Sequence, residues 1–242
     1  HVIKQFDVPK HWARFMSMDW GSSSPFSIGW WTVVPDEFDT HLDIPYYDLS
    51  NKRVQLPKGA LVRYREWYGS GDPEGKNPNV GMKLTAEEVA AGICLRELSE
   101  PKNEMGRARM NYRVLDPSAF KQDGGPSHAE RMSSYPYYLN FTKADNKHIG
   151  SKGAMGGWDQ LRARLKGDGV RPMIYFMDNC KDAIRTLPAM QHNPKHLEDV
   201  DGSGEDHAPD EIRYAVMSRP YSRTYHNDVL RAILKQRDNG LV

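Results

Sequence analysis

The chain has 242 residues, of which 38% are hydrophobic and 10% aromatic, values that are typical of a folded globular protein and not of a disordered one. Its 33 basic and 32 acidic residues leave a net charge of +1, which argues against a protein that grips nucleic acid over its whole surface. No apolar run approaches the ~20 residues of a membrane-spanning helix, and two cysteines do not make a disulfide framework.

The first third of the chain is predicted to form three strands. A buried strand lies between Val8 and Pro25, and FSIGWWTVV (26–34) follows after a short turn, which predicts a hairpin. Residues 35–60 contain several prolines and acids and are predicted to be a loop. Polar and apolar side chains alternate in ALVRYREWYG (60–69), which predicts a half-exposed third strand.

The rest of the chain alternates between helices and strands. Thr85 is a good N-cap for the helix TAEEVAAGICLRELSE, in which a buried stripe runs from Val89 to Leu98. The remaining predicted elements are a strand at 111–120, a helix at 127–135, a short strand, a helix within 152–167, a buried strand at 171–178, and helices at 179–190 and 206–219. Three strands followed by this alternation predict an α/β fold with a mixed sheet and helices on its faces.

Three aspartates stand at the ends of predicted elements. Asp19 ends the first strand, Asp116 ends the strand after the first long helix, and Asp206 opens the last helix. In an open α/β sheet, ligands collect beyond the strand ends, and a helix N-terminus can point into the same crevice. Each residue also has a structural explanation, because aspartate is common in turns and as an N-cap. Together the three would offer a hard divalent cation carboxylate oxygens from separate elements.

Three segments in this order resemble a known family. FMSMDWGSSSPFSIGWWTV, NYRVLDPSAF and EDHAPDEIRYAVMSR are similar to the three acidic motifs of the nuclease domain of large terminase subunits from tailed bacteriophages. The resemblance covers almost the whole chain. It implies an RNase H-like (retroviral integrase-like) fold, with a three-strand antiparallel meander, parallel strands and helices on both faces. It further implies that residues 1–242 are a single nuclease domain without the N-terminal packaging ATPase of the full-length family proteins.

The resemblance also implies an activity and a site. It implies an endodeoxyribonuclease that cuts concatemeric viral DNA by two-metal-ion phosphodiester hydrolysis with Mg²⁺ or Mn²⁺. Carried over by position, Asp19 would bridge both ions, Asp116 would hold one and Asp206 the other. Asp210 lies one turn later on the same helix face and is a candidate fourth or outer ligand. We expect Asp206 to be the direct ligand, because Pro209 places the start of the helix near 207–209.

The implied partners are double-stranded viral DNA and, in the full-length protein, the packaging ATPase domain, the portal and the small terminase subunit, with no membrane. The implied location is the host cytoplasm, transiently at the procapsid portal. The flexible, cationic run KADNKHIGSKG (143–153) is predicted to face the DNA through Lys143, Lys147 and Lys152.

Two other functions remain open. DVDGSGEDHAPD (199–210) matches an EF-hand calcium loop with Gly204 at its turn, although it closes on Asp210 instead of Glu and Pro209 comes just before it. The first alternative is therefore a calcium-binding module in a non-catalytic domain. The second is a Holliday-junction-resolvase-like nuclease of the same fold. The terminase-like segment DHAPDEIRYAV favours a packaging nuclease over a resolvase.

Several other residues are predicted to be structural. Trp30 and Trp31 are expected in the core, although they could stack DNA bases. Glu66 is expected in a cross-strand ion pair and not at a metal. His192 and His196 have the spacing of helical zinc ligands, but the proline between them would break that helix, so they are expected in a loop.

Overall fold

The computed structural model describes residues 1–35, 46–72, 76–150, 154–194, 199–201 and 204–221. Seven of its strands form one sheet, and two short strands pair separately. The strands are β1 Val2–Ile3, β2 Arg14–Asp19, β3 Ser27–Val33, β4 Tyr46–Tyr47, β5 Arg53–Val54, β6 Leu61–Tyr68, β7 Tyr112–Leu115, β8 Thr142–Lys143 and β9 Ile174–Met177.

The order of strands in the main sheet is β1-β9-β6-β3-β2-β7-β8, and β4 pairs with β5. β3 is antiparallel to both β2 and β6, which gives the predicted meander. The other pairs in this sheet, β2 with β7, β7 with β8, β6 with β9 and β9 with β1, are parallel. The C-terminal ends of β2, β6, β7 and β9 therefore meet at the same edge, which we call the carboxyl edge.

Five α-helices flank the sheet in the described part of the chain: α1 Ala86–Arg96, α2 His128–Ser133, α3 Gly157–Lys166, α4 Lys181–Thr186 and α5 His207–Ser218. Capping boxes begin α1 and α2, in which Thr85 and Ser127 exchange hydrogen bonds with Glu88 and Glu130. Short 3-10 turns follow β7 and α4, over Pro117–Phe120 and Leu187–Ala189. No described helix has the length and apolar character that crossing a bilayer requires.

The alternating side chains of the strands feed two cores, one on each face of the sheet. On one face, Met16, Ile28 and Trp30 pack with α1 and α2. On the other face, Phe15 and Trp31 pack with α3, α4 and α5. Trp30 and Trp31 are both 0% exposed, so their indoles are core side chains, as predicted, and cannot stack DNA bases.

The architecture confirms the predicted α/β class and the mixed sheet with helices on both faces. Several details differ, among them the short strands β4 and β5 within the predicted loop at 35–60. The helix α1 ends at Arg96, and Leu98 is 68% exposed instead of belonging to the buried stripe. The first half of β6 is buried, so the strand is less exposed than its alternation indicated. Glu66 pairs with Arg63 of its own strand, at 3.4 Å, where a cross-strand partner was expected.

Candidate active site

Asp19 and Asp116 lie side by side at the carboxyl edge. β2 and β7 are parallel with Met18 opposite Leu115, so the two aspartates end neighbouring strands at the same level. The backbone N–H of Asp116 donates a hydrogen bond of 2.9 Å to the carbonyl of Met18. The first two of the three predicted acids are therefore brought together.

The helix α5 lies across β2 with its N-terminus at the carboxyl edge. Nδ1 of His207 is 3.2 Å from Oδ2 of Asp19, and Glu211 reaches Ser17 one helical turn later. Four helical residues advance ~6 Å, and two strand residues advance ~6.6 Å. Because these two distances nearly match, His207 can contact Asp19 while Glu211 contacts Ser17.

The N-terminal turn of α5 carries both of the remaining candidates. Asp206 occupies the N-cap position but makes no side-chain capping hydrogen bond, and its carboxylate lies 4.0 Å from Nδ1 of His207. Asp210 follows one turn later, where its Oδ1 is 3.1 Å from Nη2 of Arg213. The helix begins at His207, within the predicted range of 207–209.

The charges of three carboxylates affect the pKa of the Tyr214 phenol. This phenol is buried, 4% exposed, on the same helix as Asp210. Burial raises the pKa of Tyr214, and the negative charges of Asp19, Asp210 and Asp116 raise this pKa further. The charge of Asp210 therefore reaches the same phenol as the charges of Asp19 and Asp116.

The pKa of Asp19 responds to two of the same carboxylates, Asp210 and Asp116. Burial raises the pKa of its carboxyl group to about 7, and the charges of Asp210 and Asp116 add to the increase, while the contact with His207 opposes it. Burial lowers the pKa of His207, but its contact with Asp19 and the neighbouring carboxylates outweigh this effect and raise it. Burial and the charge of Asp210 raise the pKa of Asp206. The site concentrates negative charge at a buried position.

The side chain of Asp116 also has the structural role that its position before proline suggested. It accepts a hydrogen bond of 3.0 Å from the N–H of Ser118 and another from the Ser118 hydroxyl, and so caps the 3-10 turn. Within the described ranges, no three His, Cys, Asp or Glu side chains form a ready-made ion cage. The donor chemistry nevertheless fits Mg²⁺ or Mn²⁺, because the acids that act on the buried Asp19 carboxylate provide only hard oxygen ligands.

The three predicted DNA-binding lysines fall in different places. Lys143 is exposed at the end of β8, in register with Leu115, and its ammonium is 5.5 Å from the centre of the Phe120 ring. Lys143 is therefore close in the sheet to Asp116. Lys147 is exposed in the following loop, and Lys152 lies outside the described residues.

The predicted calcium loop is not arranged as one in the part that the structure describes. Asp199, at its first position, accepts hydrogen bonds of 3.1 Å from Nε1 of Trp158 and 2.9 Å from the N–H of Val200. The backbone around it pairs with residues 191–193, through hydrogen bonds from Asn193 to Asp199 and from Asp201 to Gln191. Val200 forms an antiparallel bridge with His192, whereas an EF-hand loop turns its first carboxylates around one ion. His192 lies in this pairing, and His196 lies outside the described residues.

His207 and Glu211 were not singled out from the sequence, and Tyr214 entered only as the last residue of an Asp-x-x-x-Asp-x-x-x-Tyr pattern. His207 precedes Asp210 by three residues and Tyr214 follows it by four, so the helical spacing was the available signal. Glu211 had no such signal, because it faces the interior and its partners come from three separate strands.

No family model and no curated protein matches the chain. Among solved structures, the large terminase of a thermophilic bacteriophage matches with a TM-score of 0.59 at 18% identity, over 90% of this chain. The P22 large terminase nuclease domain matches with a TM-score of 0.50 at 12% identity, over 90% of this chain and 87% of that domain. The chain spans 42% of the length of the thermophilic phage protein. It therefore has the RNase H-like fold of large terminase nuclease domains, as the sequence resemblance implied.

Proposed function

We propose that this chain is the metal-dependent endonuclease domain of a viral genome-packaging terminase and that it cuts concatemeric double-stranded DNA. The observation that carries the proposal is the buried carboxylate of Asp19 at the carboxyl edge, where Asp116 and Asp210 act on it and its pKa is raised to about 7. A buried carboxylate among like charges is costly unless a cation is part of its function. The shared fold adds support.

Asp19, Asp116 and Asp210 are the residues that would hold two Mg²⁺ or Mn²⁺ ions. The sequence favoured Asp206 over Asp210, but the charge of Asp210 acts on both Asp19 and Tyr214. Asp206 is then an outer residue near His207. Bound ions of this kind supply Lewis acidity for the attack of water on phosphorus and for the charge on the departing 3′ oxygen.

The chain's own side chains orient this site. His207 contacts Oδ2 of Asp19 and fixes the direction of that carboxylate. His207 and Asp210 are three residues apart in α5 and so lie on the same side of its first turn, and a single rigid element carries both. Lys143 would contact a phosphate of DNA that lies along the carboxyl edge, and its register with Leu115, next to Asp116, supports this role.

The wider assignment belongs to the same proposal. The partners are double-stranded viral DNA and, in the longer protein, a packaging ATPase domain, the portal and the small terminase subunit. The site of action is the host cytoplasm, transiently at the procapsid portal.

A plasmid assay tests the proposal. The isolated chain is expected to nick and then linearise supercoiled DNA with Mn²⁺ or Mg²⁺, with little sequence preference, and EDTA is expected to stop the reaction. Asp19→Asn should abolish cutting and leave the circular dichroism spectrum unchanged. Asp168→Asn is the matched control, because Asp168 follows α3 at the opposite end of the sheet and caps the turn that leads to Arg171.

Cleavage that survives chelation, or that Asp19→Asn leaves intact, would overturn the proposal. The same assay addresses the two alternatives. Preferred cutting of a four-way junction over linear duplex would favour a resolvase, and binding of Ca²⁺ that survives Asp19→Asn without any nuclease activity would favour a calcium module.

A further inference from the structure

A group of polar side chains is buried between α5 and the sheet, directly behind the candidate active site. Glu211 is 0% exposed, and its Oε1 accepts hydrogen bonds from the Ser17 hydroxyl and, at 3.0 Å, from Nε1 of Trp31. Its Oε2 forms an ion pair with the equally buried guanidinium of Arg63. We call Ser17, Trp31, Arg63 and Glu211 the Glu211 cluster. It joins α5 to three neighbouring strands, β2, β3 and β6.

The sheet is shaped to receive the Glu211 carboxylate. Gly29 pairs with Ser17 across β2 and β3, and a Cβ atom at Gly29 would lie 2.4 Å from Oε1 of Glu211. A glycine is therefore required at this point for the carboxylate to approach the strands. The atoms that a Cβ at Gly29 would approach most closely all belong to the Glu211 cluster, since the other residue nearby is Trp31, whose Nε1 would be 2.7 Å away.

A β-bulge brings the positive charge to the same place. Residues 63 and 66 would face opposite sides of a regular strand, because side chains alternate with a period of two. The register between β3 and β6 shifts between Trp30 and Trp31, which is the signature of a bulge. Arg63 and Glu66 can then both point to the α5 side, where they pair at 3.4 Å.

A contribution to folding stability is a weak explanation for the buried ion pair of Glu211 and Arg63. Replacing a buried ion pair by apolar side chains of similar volume is often neutral or stabilising. The cluster does fix the position of α5, both along its axis and in rotation about it. The reason is that three donors from three strands allow the Glu211 carboxylate only one position. Glu211 follows Asp210 directly and lies one turn after His207, while Ser17 lies two residues before Asp19 on β2.

We propose that Glu211 is a positioning residue, which holds α5 against the sheet so that Asp210 and His207 stand at the correct distance from Asp19. A slide of α5 by one residue moves its side chains by ~1.5 Å, whereas metal–oxygen distances tolerate ~0.2 Å. The inference rests on the proposed function, because it names what holds the proposed metal ligands in place.

The two adjacent tryptophans provide a matched pair of variants. Nε1 of Trp31 donates to Glu211, and Nε1 of Trp30 donates, also at 3.0 Å, to Glu97 on the other face of the sheet. Both side chains are fully buried. Trp31→Phe and Trp30→Phe therefore remove the same donor from the same strand, but only the first removes it from the Glu211 cluster.

The measurements are the midpoint of thermal unfolding in EDTA, the Mn²⁺ dissociation constant by calorimetry, and the cleavage rate at saturating Mn²⁺. We expect both variants to lower the unfolding temperature by similar amounts. Trp31→Phe should in addition weaken Mn²⁺ binding about tenfold, as the loss of a support for a metal ligand does, and lower the saturated rate. Trp30→Phe should leave both of these at the wild-type value.

Equal Mn²⁺ affinities and equal saturated rates for the two variants would overturn the inference while leaving the proposed function in place. Should Trp31→Phe fail to fold, Ser17→Ala decides, because it removes one hydroxyl from the cluster and no charge; a wild-type dissociation constant and rate for Ser17→Ala would also overturn the inference. A wild-type chain that neither binds Mn²⁺ nor cuts DNA is a different result, since it removes the proposed function itself.

Discussion

Asp206 and Asp210, one turn apart at the start of α5, differ in the groups on which their charges act. Asp210 acts on Asp19 and on Tyr214, whereas Asp206 occupies the N-cap position without capping the helix. We expect Asp210→Asn to lower the Mn²⁺-saturated cleavage rate by more than about 100-fold, and Asp206→Asn by about tenfold or less, the range of supporting residues.

The unfolding temperature is the control for this comparison. Asp206 makes no capping hydrogen bond, so Asp206→Asn should not destabilise α5. A large loss of activity in Asp206→Asn with a near wild-type Asp210→Asn would return the metal-ligand role to Asp206, as the sequence alone indicated.

At the level of residues, the sequence could place the acids but not their surroundings. Asp19 and Asp116 follow patterns that end strands, so their meeting at one edge could be predicted from the order of elements. The contact of His207 with Asp19 joins residues that are 188 positions apart. It depends on how α5 lies across β2, which local sequence does not specify.

Among the elements, the contact between α5 and β3 can be tested at a single glycine. A methyl group in Gly29→Ala would stand 2.4 Å from Oε1 of Glu211. Three donors hold this carboxylate in place, two at Oε1 and one at Oε2. We expect this overpacking to lower the free energy of unfolding by about 1–3 kcal/mol, measured by urea denaturation.

Gly125→Ala is the control, because no atom lies within 4 Å of its added Cβ. Such a substitution is expected to leave stability unchanged or raise it slightly, since it restricts the unfolded chain. If Gly29→Ala is as stable as Gly125→Ala, then α5 can move away from β3 with little loss of folding free energy, and the packing of Glu211 against Gly29 is not rigid.

The elements that the sequence predicted well are those that carry their own signals. The capping box of α1 and the apolar runs of β2, β3 and β9 are local patterns that tertiary contacts reinforced. The strand β1 was missed because two residues show no period, and it depends on pairing with distant parts of the chain, above all β9. The end of α1 was placed too late, since hydrophobic spacing continues to Leu98 although the helix stops at Arg96.

For the whole molecule, chain order was the strongest guide. A meander followed by alternating helices and strands allows few sheet orders, because parallel connections cross in one hand. The observed order places β2 inside the sheet, between β3 and β7, with α5 across it. The candidate site thus lies at the end of an interior strand, and its geometry follows from the fold.

The net charge of +1 means that DNA affinity must come from a few local contacts. Each phosphate neutralised contributes about −0.9 to the slope of log K against log salt concentration. We expect the isolated chain, with Asp19→Asn to prevent cutting, to bind a labelled duplex with a slope of about −2 to −3. Lys143→Ala should reduce the magnitude of this slope by about one, because Lys143 lies beside Asp116 at the carboxyl edge.

Lys166→Ala is the matched control, because Lys166 ends α3, which leads to the N-terminal end of β9 and thus to the opposite edge of the sheet. Both lysines are exposed and both substitutions change the net charge by one. Fluorescence anisotropy at several salt concentrations separates a local contact from a general charge effect. Equal changes in slope for the two variants would mean that overall charge sets the affinity, and the DNA would then have no preferred path along the carboxyl edge.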